Sequence, residues 1–211
     1  MAKLWSGRFR SATDEQMHLF NKSIAFDKRL FNEDIEGSAA HVKMLAQQGI
    51  ISEDEKDALV RGLKQVQKEL KADKIEVSGE DEDIHSLVER RLTDLIGKAG
   101  KKLHTARSRN DQVQTDLRLY LKKQVKKQQQ LLVTLLNTVV EMAGNYQSTV
   151  MPGYTHLQPA QPVTLGFYLL SYFFAFKRDL ERLIDTCKRI DQSPLGAGAL
   201  AGVNYNIDRQ A

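Results

Sequence analysis

The chain has 211 residues, 41% of them hydrophobic, and a formal net charge of +4 at pH 7. That is enough apolar material for the core of one large or two modest domains, and no run of about eighteen uninterrupted apolar residues marks a membrane span. The single cysteine, Cys187, excludes an internal disulfide and a cysteine-based zinc cluster. The basic excess fits two partner classes, a polyanion or small substrates carrying several carboxylates, and charge alone does not choose between them. The start of the chain, MAKLWSGRFRS, lacks the apolar core of a secretory signal, so a cytoplasmic location is expected.

In chain order, a short helix is predicted from about Asp14 to Lys22, with Thr13 and Gln16 as a capping box and Met17 and Phe20 on one face. A connection around Ala25 to Arg29 leads to a helix from about Phe31 to Gln48, with Ile35, Val42 and Leu45 inward and Gly49 as its stop. Ser52 and Glu55 form a second capping box, opening a helix that repeats Leu59, Leu63, Val66 and Leu70. After the acidic linker Ser78 to Glu82, a helix from about Asp83 to Ile96 gathers Ile84, Leu87, Val88, Leu92 and Leu95. Lys98 to Lys102 reads as a glycine and lysine loop. A domain boundary is expected there, giving an N-terminal helical domain over 1–103 and the first part of a central helical bundle over 104–211.

From about Asp111 to Asn145 the residues Val113, Leu117, Leu121, Leu132, Leu135, Leu136, Val139 and Val140 mark one apolar stripe. At 1.5 Å per residue this is a helix of roughly 50 Å. Lys122, Lys123, Lys126 and Lys127 fall opposite its leucines and have no interleaved aromatics, which favours a solvated face over a nucleic-acid platform. Val163 to Asp191 repeats the pattern with Leu169, Phe173, Phe176, Leu180, Leu183, Cys187 and Ile190. The two stripes exceed what two helices can cover in each other, so further helices or further subunits are needed. Alternation of period two persists nowhere, and the predicted fold is all-α.

Between the long helices lies MPGYTHLQPAQPVT, residues 151–164, with three of the chain's four prolines. Proline there forbids a continuous helix and makes a stiff connection. It carries Thr155, His156 and Gln158, a hydroxyl, an imidazole and an amide on a rigid turn, which is where chemistry is commonly placed; a capping histidine is the plain alternative. HTARSRNDQ, residues 104–112, stands just before a long helix, and its arginines and amides are suited to gripping carboxylates. In EDIHSLVERRL, residues 82–92, Asp83 suits a helix cap and His85 suits packing as well as function. The glycines of PLGAGALAG, residues 194–202, follow no predicted strand and point to a tight backbone approach, not a nucleotide fingerprint. No metal-ligand spacing stands out.

Taken jointly, these segments identify a resemblance. WSGRF at 5–9, NKS at 21–23, EDIHSLVERRL, HTARSRNDQ, MPGYTHLQPAQPVT and PLGAGALAG resemble the fumarase, aspartase and argininosuccinate lyase superfamily, and within it the argininosuccinate lyases. Tyr154 discriminates, because fumarases typically have arginine before the Thr-His pair. Ala106 departs from the glycine of many members; if that position needs positive φ, alanine strains the loop.

The resemblance implies reversible β-elimination of argininosuccinate to arginine and fumarate, with no metal or organic cofactor and no nucleic-acid or membrane partner. It also implies a homotetramer with a shared helical core and active sites built from three subunits. It assigns substrate binding to Ser23, Ser108, Arg109, Asn110, Thr155 and Gln158, and catalysis to His156 with Thr155. The family's mobile GSSxMPxKxN loop, whose serine abstracts the proton, does not occur in this sequence, so the chain is expected to be an N-terminal part that is inactive alone. The alternative is a non-catalytic, crystallin-like structural or binding homologue, since recruitment of this fold separates it from activity.

Overall fold

A computed structural model describes residues 14–79 and 81–211. WSGRF at 5–9, Thr13 and Glu80 lie outside the described residues. The helices are α1 Glu15–Asn21, α2 Ile24–Asp27, α3 Phe31–Gln47, α4 Glu53–Lys71, α5 Ile84–Ile96, α6 Arg109–Asn145 and α7 Leu165–Ile190, with two strands, β1 Val150–Thr155 and β2 Gln158–Thr164, between the last two. Among the described residues no helix is long and apolar enough to cross a membrane.

The described residues form two compact units, those up to 117 with 193–211, and residues 118–192. The boundary expected near residue 103 lies inside the first of these. In the first unit α3, α4 and α5 enclose a core of Val42, Leu45, Leu59, Leu63, Val66, Ile84, Leu87, Val88, Leu92 and Leu103, the inward positions of the helical repeats. Leu95 departs from its expected place and is exposed. Ser52 and Glu55 form the full reciprocal capping box on α4. Asp83 caps α5 by accepting from the Ser86 amide at 2.6 Å, and Asp14 caps α1 through the amides of Gln16 and Met17. Two expected loops are helical. Ala25 to Arg29 is wound into α2 and a 3-10 turn, and Lys98 to Lys102 lies within a 3-10 helix, Gly97–His104. Gly100 explains the second departure: a Cβ there would stand 2.7 Å from the Thr93 Cα, so the glycine is a packing residue and not a loop residue.

In the second unit α6 and α7 run antiparallel. Gly166 approaches the Ala143 carbonyl, and at the far end Lys122 pairs with Asp191 at 2.6 Å. Leu136, Val139 and Ala143 are buried. The α7 stripe of Leu169, Phe173, Phe176, Leu180, Leu183, Cys187 and Ile190 is half-buried, while Leu131, Leu135, Val140, Phe167, Leu170 and Phe174 are exposed.

The expectation of no sheet is corrected by the proline-rich segment, which is an antiparallel hairpin. Val150 pairs with Thr164, Met151 with Val163, Pro152 with Pro162, Tyr154 with Pro159 and Thr155 with Gln158, with an irregularity between Pro152 and Tyr154. In a two-stranded ribbon both strands are edges, so prolines whose nitrogens face outward cost no ladder bond. Gly153 sits at the irregularity, where a Cβ would meet the Gln161 carbonyl at 2.8 Å. The turn consists of His156 and Leu157, both at positive φ, 50° and 64°. Primed hairpin turns demand that sign and usually recruit Asn-Gly, which is why this sequence carries no hairpin signal.

Candidate active site

The residues marked by the sequence divide between the two units. Ser23, Ser108, Arg109 and Asn110 belong to the first, and Thr155, His156 and Gln158 to the second.

In the first unit the start of α6 organises the polar loop. The Ser108 Oγ accepts from the Asn110 amide at 3.3 Å while the Ser108 amide donates to Asp111 Oδ1 at 2.9 Å, a reciprocal cap. Asp111 Oδ2 accepts from the amides of Gly196 and Gly198 at 3.2 and 2.7 Å. The glycine-rich segment thus makes its close backbone approach to a carboxylate of the same chain. Gly196 and Gly198 have φ of 94° and 63°, which non-glycine residues rarely adopt.

Arg109 is fixed on three sides. Its Nε stands 3.1 Å from Asp83 Oδ2, its Nη1 donates to Gln112 Oε1 at 2.7 Å, and its Nη2 lies 3.8 Å from Glu89 Oε2 without a hydrogen bond. Burial pushes the Glu89 carboxyl up, against the pull of Arg109 and Arg107. An oriented guanidinium with one unused edge, beside a helix N-terminus, has the donors needed to hold a carboxylate.

Ser23 meets the same corner from the other side. Its Oγ donates to Asp27 Oδ2 at 2.6 Å, its amide donates to the Glu82 carbonyl at 2.8 Å, and Asp27 Oδ1 accepts from the Ile84 amide at 3.1 Å. Ser23 and Arg109 are therefore both tied to the N-terminal end of α5. Burial raises the Asp27 carboxyl, partly offset by the Ser23 hydrogen bond and by His85.

Beneath this surface lies a buried polar cluster that joins His85 and members of the HTARSRNDQ segment to Asp34, Ser38, His41 and Asp116, which stand in no motif. Gln112 Nε2 donates to Asp34 Oδ1 at 2.5 Å, and His85 Nδ1 contacts Asp34 Oδ1 at 3.1 Å and Asp116 Oδ2 at 3.3 Å. Arg107 is buried and donates to Ser38 Oγ at 2.9 Å. His41 holds the Thr105 carbonyl through Nε2 at 2.8 Å. Burial, reinforced by Arg107, depresses His41 and His104 to about 4, so both are neutral imidazoles at neutral pH. Asp34 and Asp116 sit within otherwise helical patterns, one residue before Ile35 and Leu117. A polar residue beside an apolar position of a helical repeat reads as solvated surface until tertiary packing places it inside, as it does Asp116 while leaving Leu117 exposed.

In the second unit Thr155, His156 and Gln158 are exposed at the hairpin tip, and among the described residues their side chains make no hydrogen bond. The tip is held by the turn at His156 and Leu157 and, at its base, by the Leu165 amide donating to the Thr149 carbonyl at 2.8 Å. A surface depression of about 410 Å³ lined by Val150, Pro162, Val163 and Phe167 contains none of these three residues. His156 is thus presented to solvent at the tip of the hairpin.

Comparison with known proteins gives these features a family. A family model described as Lyase matches residues 7–211. An argininosuccinate lyase of Thermoanaerobacter sp. (strain X514) is 53% identical over 208 residues, 99% of this chain and 46% of the relative. One of Moorella thermoacetica is 51% identical over 208 residues, 99% of this chain and 45% of the relative. The chain thus spans about half the length of the curated relatives it matches. Among solved structures, an EDDS lyase variant with bound fumarate superposes with a TM-score of 0.76 at 32% identity, over 86% of this chain and 35% of that one. A fumarate lyase:delta crystallin from Brucella melitensis, 17% identical, shares the fold with a TM-score of 0.73 over 97% of this chain and 46% of that one. With its family model spanning nearly the whole chain, the protein belongs to the Lyase family and is similar there to the N-terminal half of argininosuccinate lyases.

Proposed function

We propose that this chain supplies the N-terminal half of an argininosuccinate lyase, which splits argininosuccinate into arginine and fumarate. The observation that carries the reading is 53% identity to such an enzyme over 99% of the chain. The polar loop at the start of α6 and the hairpin tip are the parts of the structure that suit the chemistry.

In the elimination, a base takes a proton from the carbon next to a succinyl carboxylate. The electron pair of that C–H bond becomes the fumarate double bond, the C–N bond breaks, and the departing guanidino nitrogen takes a proton from an acid. Charge accumulates on the carboxylate during proton removal, so its donors must hold the transition state more strongly than the ground state. Arg109, with the Ser108 and Asn110 side chains beside it, is assigned that task, and Ser23 a further substrate contact. His156 is assigned proton transfer, with Thr155 and Gln158 as substrate contacts on the same turn. Arginine biosynthesis in the cytoplasm is the corresponding cellular role. The exposed apolar residues of α6 and α7 support assembly with further helices, in a homotetramer of the complete protein.

The test is fumarate formation from argininosuccinate, followed by ultraviolet absorbance. It is run with this chain alone and with this chain mixed with the C-terminal half of a relative, alongside the intact relative. Fumarate in either preparation supports the lyase reading, and its loss with His156→Asn ties turnover to the hairpin. No fumarate from a mixture that sediments as a tetramer, with the intact relative active, would replace it by a non-catalytic homologue.

A further inference from the structure

The buried cluster below the polar loop has a feature that the elimination chemistry does not use. Asp34 and Asp116, on α3 and α6, approach each other and His85 with one ligand-type atom of each within 4.8 Å of the others, all three side chains buried. Two carboxylates at such separation in a low-dielectric interior cannot both stay ionised at modest cost. Their surroundings differ. Asp34 Oδ1 receives the Gln112 amide at 2.5 Å and His85 Nδ1 at 3.1 Å, and the Arg107 guanidinium is close enough to stabilise its charge. Asp116 Oδ2 has His85 Nδ1 3.3 Å away but makes no hydrogen bond, and Asp34 Oδ2 makes none either. A proton on Asp116 lets it donate to Asp34 and gives a partner to buried oxygens that otherwise lack one.

We propose that Asp34 and Asp116 hold a single proton between them, carried by Asp116, and that this leaves Asp34 as the anionic acceptor that orients Gln112 and, through Gln112, the Arg109 guanidinium. Asp116, Asp34 and Gln112 are thereby positioning residues. The path is continuous in the structure: Arg109 Nη1 to Gln112 Oε1 at 2.7 Å, then Gln112 Nε2 to Asp34 Oδ1 at 2.5 Å. An amide is suited to this place because it accepts from a guanidinium at one end and donates to a carboxylate at the other.

The charged and titratable groups around the pair are Glu33 on α3, His85 and Glu89 on α5, and Arg107 ahead of α6. Burial and the neighbouring Asp34 charge push Asp116 up to about 9. Burial alone would raise Asp34 as well, but His85, Arg107 and Gln112 outweigh it and hold Asp34 near 2. Two carboxylates and an imidazole also have the composition of a divalent-cation site. Here Asp34 is already saturated on one oxygen by two donors and faces a buried guanidinium, so a proton is the better neutralising partner than a dication.

That Arg109 grips substrate rests on the lyase reading; the shared proton and its hold on Arg109 do not. The experiment is carbon-13 NMR of the aspartate side chains together with the Arg109 Nε–Hε signal, recorded on the labelled 211-residue chain from pH 5 to pH 10. Expected are an ionised Asp34 throughout, a protonated Asp116 at pH 7, and a displacement of the Arg109 signal in step with loss of the Asp116 proton. Asp116→Asn, which imitates the neutral acid, is expected to keep the Arg109 signal in place and remove the alkaline step. Asp34→Asn and Gln112→Met are expected to displace that signal at every pH. Two ionised carboxylates at pH 7, an Arg109 signal indifferent to Gln112→Met, or displacement of the pair's signals by added zinc or magnesium would each overturn the proposal. The wild-type titration decides the protonation even if a variant fails to fold. The fumarate assay is separate, so an inactive tetrameric mixture with a protonated Asp116 would count against the lyase reading and not against the proton.

Discussion

Ala106 has φ of 60°, in the left-handed region. For an L-residue with a Cβ this conformation costs about 1–2 kcal/mol, of which glycine is relieved at the expense of a more flexible unfolded chain. The departure from glycine noted in the sequence is therefore a real strain, located between His104 and the Arg107 to Asn110 stretch. Ala106→Gly is expected to stabilise the protein by about 0.5–1 kcal/mol, read as a higher urea midpoint with unchanged slope. A lower midpoint would mean that the alanine methyl makes contacts worth more than the strain. His156 and Leu157 hold the same backbone sign at the hairpin tip. Positive φ at non-glycine residues is thus found in both segments assigned to substrate chemistry.

Elements whose signals are local are legible in the sequence. The Ser52 and Glu55 capping box, the apolar repeat and the stop at Gly49 place α3, α4, α5 and α7 close to where they lie. Two kinds of feature are not legible. One is the hairpin, whose turn is made by His156 and Leu157 and whose strands contain Pro152, Pro159 and Pro162, all against the usual strand and turn preferences. The other is anything decided by a distant neighbour: the burial of Asp34 and Asp116, the approach of Gly196 and Gly198 to Asp111, and the packing of Gly100. The candidate site divides the same way. Arg109, Ser108, Asn110, Gln112 and His156 stand in recognisable motifs, while Asp34 and Asp116, which stand in none, acquire meaning only once α3, α5 and α6 are packed. Gly100 offers the test at this scale. Its missing Cβ would stand 2.7 Å from Thr93 Cα and 3.0 Å from Thr93 N, backbone atoms of α5 that cannot rotate away. Gly100→Ala is expected to destabilise by about 1–3 kcal/mol in urea unfolding despite the better helix propensity of alanine. A stabilised variant would show that the 3-10 helix is loosely docked on α5.

At the scale of the molecule, the buried titratable groups give stability a defined dependence on pH. His41 and His104 are depressed to about 4 from an ordinary value near 6.5, so between these limits the unfolded chain binds the protons and the folded chain does not. Their contribution is complete above about 6.5 and is lost as pH falls towards 4, at up to about 1.4 kcal/mol per pH unit for each group. Asp116, raised to about 9 from an ordinary value near 3.8, acts in the opposite sense. The folded chain keeps a proton that the unfolded chain has released, so stability falls as pH rises towards 9. Below 6.5 the two histidines outweigh the one aspartate, and Asp27 and Glu89, also raised by burial, subtract from the acid limb at its lower end. Above 6.5 Asp116 acts without that opposition. Urea midpoints at pH 5, 6.5 and 8.5 are expected to be highest at about 6.5. His41→Gln, which keeps a donor for the Thr105 carbonyl but does not titrate, is expected to flatten the acid limb and leave the alkaline limb unchanged. A midpoint that keeps rising from pH 6.5 to 8.5 would show that the folded chain holds no excess proton there, and that both Asp34 and Asp116 are charged.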